Sequence, residues 1–359
     1  MQEQRKELSF KGESIYVGID VHLKSWSVTI LTEHSHHKTF SQPAEAAKLW
    51  SYLKTFFPGA TYYSAYEAGF SGWWTHYQLE SLGLKNQVIN AADVPTTGKD
   101  RLQKTDSVDS RKIARSLRAK ELKGIHVPSP VTLKDRSVVR MRDSVVKAQS
   151  RLKQQIKMML HFYGVKIPSS FSKNTNLTKR YLHWLRTEAS RAEGMSTQAF
   201  LFLLDEYESK RKSLLSITRV IKQLSKEERY GKNMELIRSV PGIGLITGIT
   251  FLVEIEDIAR FSSNDKFAGF IGIIPSCHSS GENENKGEMT PRRQASLRAN
   301  LIESSWVAVR RDPALALAFK RYCRRMETNK AIVRIARRLA NRIYFVLLKQ
   351  TKYAYGVLQ

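Results

Sequence analysis

Residues 15–32 read IYVGIDVHLKSWSVTILT, and this stretch decides the fold class of the first third of the chain. Two runs rich in β-branched and apolar residues, 15–20 and 26–32, flank a short polar turn at 22–25. Two such runs joined by a short turn are typical of a β-hairpin. The chain therefore begins with a predicted antiparallel strand pair.

The residues that follow alternate between strand-like and helix-like patterns. Strands are predicted at 62–66 and 87–90, and helices at 43–57, 73–82 and 107–122, with a basic loop at 95–104. Alternating elements of this kind predict an α/β domain. A hairpin followed by helices is the order expected of an RNase H-like sheet, although a doubly wound sheet fits almost as well.

The middle of the chain is predicted to be helical. Pro128 and Pro130 mark a boundary, after which apolar residues recur at near-heptad spacing over 138–159 and again at helical spacing over 200–224. These stretches are interpreted either as two halves of an antiparallel coiled coil, joined through 169–178, or as dimerisation arms. A helical hairpin within one monomer is the simpler alternative.

A third region begins with LIRSVPGIGLITGITFL at 236–252, in which a proline-glycine turn separates two apolar helical stretches. This is the pattern of a helix-hairpin-helix, whose glycine turn can present backbone N–H groups to a phosphate. A plain helix connection is equally consistent with it. The predicted fold class is thus α/β plus α, with domains at 1–128, 129–232 and 233–359.

The charge balance points to a polyanionic partner. The 359 residues include 59 Lys and Arg against 33 Asp and Glu, a net charge of +26. Nucleic acid is the leading candidate. Two cysteines, Cys277 and Cys323, exclude a disulfide framework or a four-cysteine zinc site. With a charged start and no apolar run of 18 residues, we expect a cytoplasmic, nucleoid-associated protein without a membrane span.

Positive charge concentrates towards the end of the sequence. Residues 292–349 contain 15 Lys and Arg but only 3 Asp and Glu. In the last predicted helix, Ile335, Leu339 and Ile343 form an apolar stripe, while Arg334 and Arg338 repeat on another face. A solvated face is the ordinary interpretation, but further bases nearby, including Arg324 and Arg325, favour a surface that contacts phosphates.

Four acidic residues are candidates for metal binding. Asp20 and Glu67 each end an apolar strand, and Asp106 and Asp109 lie three apart at the start of a helix, where they share one face. Taken singly, each is explained as a surface acid or as a helix N-terminal acid. Together, carboxylates of this kind suit Mg²⁺ or Mn²⁺ in two-metal phosphoryl chemistry.

Several motifs make the sequence resemble a known family. They are YVGIDVHLK at 16–24, YEAG at 66–69, KTDSVDSRKIAR at 104–115, VPGIG at 240–244, FAGFIGIIP at 267–275, the pair Ser280-Gly281 and SLR at 296–298. In this order and spacing they resemble the DEDD-type insertion-sequence transposases. These are bridge-RNA-guided recombinases related to the pilin-gene invertase, and the resemblance covers nearly the whole chain.

The resemblance implies a RuvC-like first domain, a transposase domain at the end and specific roles for five residues. Asp20, Glu67, Asp106 and Asp109 would bind Mg²⁺ or Mn²⁺, and Ser280 would attack a DNA phosphodiester to form a phosphoserine linkage. The RuvC-like site would come from another subunit. The implied partners are donor and target DNA, a structured guide RNA, and further copies of the chain as a dimer or tetramer.

Phosphate contacts are assigned to bases near these motifs and along the basic end. They are Lys104, Arg111, Arg292, Arg293, Arg298, Arg324, Arg325, Arg334 and Arg338. Ser279 competes with Ser280 for the nucleophile on sequence alone, and His278 is a weak candidate for a base. Without the resemblance, residues 279–285 are interpreted as a surface loop.

The chain departs from the family pattern at two places. Ser110 stands where the family usually has alanine, and 289–294 replaces a small or glycine-containing turn. The second departure leaves the local geometry between the serine and the SLR helix open. Two alternative functions are a RuvC-like, structure-selective nuclease of the Holliday-junction resolvase type, and a decayed transposase that only binds nucleic acid.

Overall fold

The computed structural model describes residues 9–95, 105–172, 177–191, 195–280 and 283–355. At 172, 195–196, 277–280 and 283–288 only the backbone is described. The chain divides into two compact units, Met1–Val127 and Pro128–Gln359. Each unit is described by itself below.

A mixed five-stranded sheet forms the centre of the first unit. Its strands are β1 (Ser14–Val21), β2 (Ser25–Leu31), β3 (His36–Pro43), β4 (Thr61–Glu67) and β5 (Lys85–Ile89), in the order β3-β2-β1-β4-β5. β1, β2 and β3 are antiparallel neighbours, whereas β4 and β5 run parallel to β1. The predicted hairpin is confirmed, and the antiparallel half distinguishes this sheet from a doubly wound parallel one.

Strand β3 is missing from the sequence prediction. It reads HHKTFSQP and has only one buried residue, so it lacks the apolar alternation by which strands are recognised. β3 pairs only with β2 and lies at the edge of the sheet. Edge strands are commonly polar, because an apolar edge invites pairing with other chains.

Helices cover both faces of this sheet. They are α1 (Ala46–Phe56), α2 (Trp74–Ser81) and α3 (Asp106–Arg118), with a short 3₁₀ turn at Ala91–Asp93. Ile15, Val17 and Ile19 of β1 point into a core shared with Leu49 and Leu53 of α1. On the other face, Ile113 and Leu117 of α3 pack with Ala65 and Ile89.

Helix α3 lies against the backbone of β1 at Gly18. A Cβ atom built on Gly18 would lie 2.1 Å from the Ser110 carbonyl oxygen and 2.4 Å from the Ala114 backbone nitrogen. Real Cβ atoms do not approach backbone atoms so closely, so only glycine fits at this crossing. The absent side chain therefore sets the distance between α3 and the sheet.

Replacing Gly18 by alanine is expected to destabilise the protein. The added methyl group must displace the α3 backbone, and overpacking of this kind costs about 1–3 kcal/mol or more. Urea denaturation of Gly18→Ala should therefore show a lower midpoint than the wild type. Gly124→Ala is the matched control in the same unit, because its Cβ would approach nothing closer than Gln87 at 3.7 Å. Equal midpoints for the two variants would contradict the close packing.

The second unit is mainly helical. Its helices are α4 (Pro130–Phe162), α5 (Ser169–Ser172), α6 (Lys179–Arg191), α7 (Met195–Leu224), α8 (Glu228–Ser239), α9 (Leu245–Ile255), α10 (Asn264–Ile271), α11 (Ala295–Arg311), α12 (Pro313–Cys323) and α13 (Thr328–Lys349). Among the residues with described structure, no helix is long and apolar enough to cross a membrane. The predicted apolar stripe of the last helix is confirmed, since Ile335, Leu339 and Ile343 are fully buried.

The two long helices α4 and α7 pack as an antiparallel pair within one chain. Ile156 and Leu160, near the end of α4, share a core with Phe200 and Leu204, near the start of α7. At the opposite end, Val139 of α4 lies in the same core as Ile221 of α7. The contact between α4 and α7 is therefore that of a helical hairpin within one monomer, which is one of the alternatives that the sequence leaves open.

The PGIG turn connects α8 to α9, as the sequence predicts for two flanking helices. Gly242 adopts a left-handed φ of 85°, and its Cβ would lie 2.2 Å from the Ser304 carbonyl oxygen of α11. Gly244, in contrast, is exposed and is the N-cap residue directly before α9. Close helix packing explains Gly242, whereas phosphate binding by this turn stays a prediction.

Residues 275–280 and 283–289 form a pair of strands rather than a loop. β6 (Pro275–Ser280) pairs antiparallel with β7 (Asn283–Met289), and the last paired residues are Ser280 and Asn283. The interpretation of 279–285 as a loop is therefore wrong for 279–280 and 283–285. The polar sequence does not predict strands here, because a two-stranded ribbon with no apolar face lacks the periodicity of a core strand.

Candidate metal centre

Three side chains from β1, the turn after it and α3 converge at one point of the first unit. The Nε2 atom of His22 lies 3.2 Å from an Asp20 carboxylate oxygen and 3.3 Å from an Asp106 carboxylate oxygen. One donor atom from each of these residues lies within 4.8 Å of the others. Asp20 and His22 are close in the sequence. Asp106 is far from both in the sequence, and the position of α3 brings it to the end of β1.

Strand alternation explains why Asp20 faces α3. Successive side chains of a strand point to opposite faces, so Asp20 shares its face with Gly18, where α3 crosses. Asp106 is the first residue of α3, and Asp109 follows one turn later. Both acids lie at a helix N-terminus, where the helix dipole favours negative charge. Lys112 also lies 3.5 Å from the Asp109 carboxylate.

Glu67 lies at the end of the neighbouring strand. The parallel register pairs Ile19 of β1 with Tyr66 of β4, so Asp20 and Glu67 occupy the next positions of adjacent strands. Glu67 lies on the same face as Ala65, which packs beneath α3. The structure thus places Glu67 beside Asp20 at the carboxyl ends of β1 and β4. The cluster of possible metal ligands itself comprises Asp20, His22 and Asp106.

The electrostatic environment of Asp20 disfavours its ionised form. Burial raises the pKa of Asp20 above its usual value, and the negative charges of Asp106 and Asp109 raise it further. His22 opposes these effects through its charge and its hydrogen bond. An additional cation at this point would stabilise the ionised carboxylate.

The sequence analysis missed His22 as part of this cluster. The residue stands in the quoted motif, but the sequence pattern assigns it to the polar turn after the first strand. The available signal was its spacing, because residues two apart on an extended chain share one face. Val21, between the two, points instead into the core on the other side of the sheet.

The donor set fits a divalent metal ion. Carboxylate oxygens are the ligands preferred by Mg²⁺ and Mn²⁺, and imidazole nitrogen is a common ligand of transition metals. Two ligands at right angles on an ion at 2.0–2.1 Å are about 3 Å apart. The spacings of 3.2 and 3.3 Å around His22 Nε2 are close to that value.

Ser110, at a position where the family that the sequence resembles usually has alanine, forms hydrogen bonds beneath the site. The Ser110 hydroxyl is buried and lies 3.2 Å from the Ser27 hydroxyl and 2.9 Å from that of Thr29. A buried hydroxyl is tolerated when it has such partners. Ser110 therefore joins α3 to β2 without entering the cluster of Asp20, His22 and Asp106.

The serine candidates lie in the second unit, on the β6–β7 hairpin. The backbone places Ser280 at the end of β6, directly before residues 281–282, so that Gly281 of the Ser-Gly pair lies outside the described residues. The side chains of His278, Ser279 and Ser280 also lie outside what is described. The choice between Ser279 and Ser280 stays a prediction.

The arginines near this hairpin differ in exposure. Arg292 and Arg293 are exposed, whereas Arg298 is half-buried and donates a hydrogen bond to the Thr290 carbonyl oxygen. Burial, and then the charge of Arg293, lowers the pKa of Arg298. Gly272, with a φ of 85°, leaves room for this segment, because its Cβ would lie 2.5 Å from the Arg293 Cβ.

The other predicted phosphate contacts are mostly exposed. Arg324, Arg325, Arg334 and Arg338 are exposed at the end of α12 and along α13. Arg338 also donates a hydrogen bond of 3.0 Å to the Tyr322 hydroxyl, which holds part of this surface in place. In the first unit, Arg111 is half-buried on α3, and Lys104 lies outside the described residues.

Comparison with known proteins identifies the class. A DEDD transposase model of the IS110 type matches residues 17–165, and a model described as "Transposase IS116/IS110/IS902 family" matches residues 234–320. The first match contains Asp20, Glu67, Asp106 and Asp109, and the second contains Ser280. The chain is therefore of the DEDD transposase class.

Individual relatives agree with this class. The transposase for insertion sequence element IS1111A of Coxiella burnetii is 24% identical over 77% of this chain and 74% of the relative. The y4qE protein of Sinorhizobium fredii, whose name assigns it provisionally to the transposases, is 28% identical over 68% of this chain but only 58% of its own length. The chain belongs to the IS110-type transposase family.

Neutralising Asp20 is expected to stabilise the metal-free protein. Because the folded-state pKa is raised, the folded protein loses stability as pH rises through the range where Asp20 ionises. With EDTA at neutral pH, Asp20→Asn should melt at a higher temperature than wild type, and the difference should disappear towards pH 4. Differential scanning fluorimetry measures both effects.

Adding Mn²⁺ should reverse this order. An ion at 100 times its dissociation constant stabilises the protein that binds it by about 2.7 kcal/mol. Wild type should gain this stability and Asp20→Asn should not. Glu33→Gln, which removes an exposed acid from the β2–β3 turn, serves as the control and should behave as wild type. Equal metal responses in wild type and Asp20→Asn would contradict the site.

Proposed function

We propose that this protein is a metal-dependent DNA transposase, or site-specific recombinase, that cuts and rejoins DNA through a serine. The observation that carries the proposal is the convergence of Asp20, His22 and Asp106 at the carboxyl end of the central strand β1, in a chain of the IS110-type family. The sheet order is consistent with a RuvC-like domain. Glu67 and Asp109 complete the proposed set of four acids.

The acids would hold one or two divalent ions, Mg²⁺ or Mn²⁺, against the DNA backbone. A bound ion of this kind neutralises phosphate charge and promotes attack on phosphorus. Asp20 and Glu67 are held by two adjacent strands, and Asp106 and Asp109 by one turn of α3. Rigid elements of this kind position ligands better than loops do.

Ser280 is the proposed nucleophile. Its hydroxyl oxygen would form a bond to the DNA phosphorus while the bond from phosphorus to the departing strand oxygen breaks. The resulting phosphoserine keeps the energy of a phosphodiester bond, so a strand hydroxyl can reverse the step and rejoin DNA. A position at the end of β6, in the last described pair of the two strands, would let the serine reach a duplex.

Self-association is part of the proposal, because the family resemblance implies an active centre shared between subunits. The α4–α7 pair supports it. At the end of α4 and the start of α7, Met158, Phe162 and Phe202 are 64%, 80% and 70% exposed. Exposed apolar groups in one place mark contact surfaces. We expect a dimer or a tetramer.

Nucleic acids are the proposed partners. The net charge of +26, and the exposed arginines of α12 and α13, suit phosphate backbones. Donor and target DNA follow from the transposase family, and a structured guide RNA follows from the resemblance to bridge-RNA-guided recombinases. Base pairing by such an RNA would set the target sequence outside the protein. The proposed location is the cytoplasm, at the nucleoid.

A RuvC-like nuclease of the resolvase type is the second candidate. One observation favours it, namely that Asp20, His22 and Asp106 all belong to the first unit. In that case water would attack the phosphate and Ser280 would have no role. The two candidates differ in whether protein becomes bonded to DNA.

A covalent trap assay separates them. Protein, Mg²⁺, co-purified RNA and labelled DNA carrying the element junction are run on a denaturing gel. We expect a protein-DNA adduct with wild type and none with Ser280→Ala or Asp106→Ala. Ser279→Ala is the matched control and should keep the adduct. Cleaved DNA without an adduct, unaffected by Ser280→Ala, would contradict serine chemistry and favour the nuclease.

Mixing inactive variants tests the shared active centre. If Ser280 of one subunit works with the acids of another, a mixture of Ser280→Ala and Asp106→Ala contains some sites with both groups intact. Co-expressed variants should then recover part of the adduct that each lacks alone. No recovery, with mixed oligomers demonstrated by tagged pull-down, would place both groups in one subunit.

A further inference from the structure

The geometry of the metal centre carries an inference about which ion it takes. It rests on the proposed function, because it concerns the same site. We propose that His22 is a nitrogen ligand of this centre, which therefore prefers a divalent ion of the first transition series, such as Mn²⁺, to Mg²⁺. The acids alone would make a site of oxygen donors, which suits either ion.

The position of the imidazole supports direct ligation. His22 Nε2 lies 3.2 Å from Asp20 and 3.3 Å from Asp106, so one nitrogen faces two carboxylate oxygens at nearly equal distances. A single N–H carries one hydrogen and points it best at one acceptor. The three residues could each supply one donor atom to the same metal ion, whereas one proton is shared best with one acceptor.

The backbone holds His22 in this position. Its N–H donates a hydrogen bond of 3.2 Å to the Ser25 carbonyl oxygen, which closes the turn between β1 and β2. Its side chain is 44% exposed, so an ion can reach the imidazole from solvent. The Asp106 side chain, 67% exposed, leaves the same approach open.

Imidazole changes the selectivity of a carboxylate site. Nitrogen donors suit transition metals, whereas Mg²⁺ prefers oxygen ligands and water. The contrary interpretation is that protonated His22 only neutralises Asp20 and Asp106. The two interpretations predict opposite effects of removing the imidazole. A lost ligand weakens Mn²⁺ binding, whereas a lost positive charge strengthens the binding of every cation.

The test is spectroscopic and uses the full chain without DNA. Mn²⁺ bound to wild type is examined by pulsed electron paramagnetic resonance, in which a directly coordinated nitrogen gives a characteristic coupling. We expect this coupling, and we expect it to change when histidine is labelled with ¹⁵N, a comparison that needs no variant. Mn²⁺ bound through Asp106 but without nitrogen coupling would overturn the inference and leave the proposed function standing.

Variants give the second measurement. His22→Ala should weaken Mn²⁺ binding by about tenfold or more, because even residues that only orient a ligand are worth about 10–100-fold. Its Mg²⁺ affinity should fall less. His34→Ala, which removes an exposed histidine from the β2–β3 turn, should bind as wild type does.

Two outcomes distinguish the inference from the function on which it rests. Tighter binding of both ions by His22→Ala would overturn the inference and identify His22 as a counter-charge. Wild type that binds neither ion, with a native circular dichroism spectrum, would overturn the metal centre itself, and the proposed function with it. Loss of Mn²⁺ binding in Asp106→Ala, with weakened binding in His22→Ala, supports both.

Discussion

The close approach of α3 to β1 at Gly18 is the contact on which the candidate site depends. Asp106 and Asp109 come from a helix that begins 86 residues after Asp20 in the sequence. The Asp106 carboxylate lies near Asp20, and Asp109 acts on Asp20 through its charge, because the helix backbone lies directly on a strand without a side chain at the crossing. Ser110 fixes the same helix to β2 through its hydroxyl. A wider crossing would separate the acids from the strand end.

The site concentrates negative charge in a chain of strong positive charge. Asp20 is partly buried next to Asp106 and Asp109, and this environment raises its pKa. Such an arrangement costs stability unless a cation compensates it. In the proposed function, the basic residues would attract a phosphate backbone, which would bring further negative charge to the site. A divalent ion at the acids would offset the negative charge of both the carboxylates and the phosphates.

In the second unit, a buried helical core supports side chains that are exposed on its surface. Its core is continuous from α8 to α13, and buried polar pairs join its parts. For example, Asp312 accepts hydrogen bonds from Arg342 and Tyr353 at 2.9 and 2.6 Å. The β6–β7 strand pair has a polar sequence, and arginines are exposed along α12 and α13. Rigid helices thus carry the groups assigned to nucleic acid.

The sequence predicts those parts of the molecule that follow a strong local pattern. The first hairpin, the helix that begins near Asp106 and the buried stripe of the last helix follow directly from periodicity. Strand β3 and the β6–β7 hairpin do not, because their polar residues depend on pairing rather than on burial. Motif spacing singled out the four acids, but the part played by His22 requires knowing where α3 crosses β1. No short stretch of sequence predicts such a contact between distant segments.

In the proposed metal centre, α3 and β1 bring Asp20, His22 and Asp106 together around one ion. Anomalous X-ray diffraction at the manganese edge, from crystals soaked in Mn²⁺, tests it most directly. We expect an anomalous peak bonded to carboxylate oxygens of Asp20 and Asp106 and to the Nε2 atom of His22. A peak elsewhere, or none at these residues in crystals that bind Mn²⁺ at another position, would contradict it.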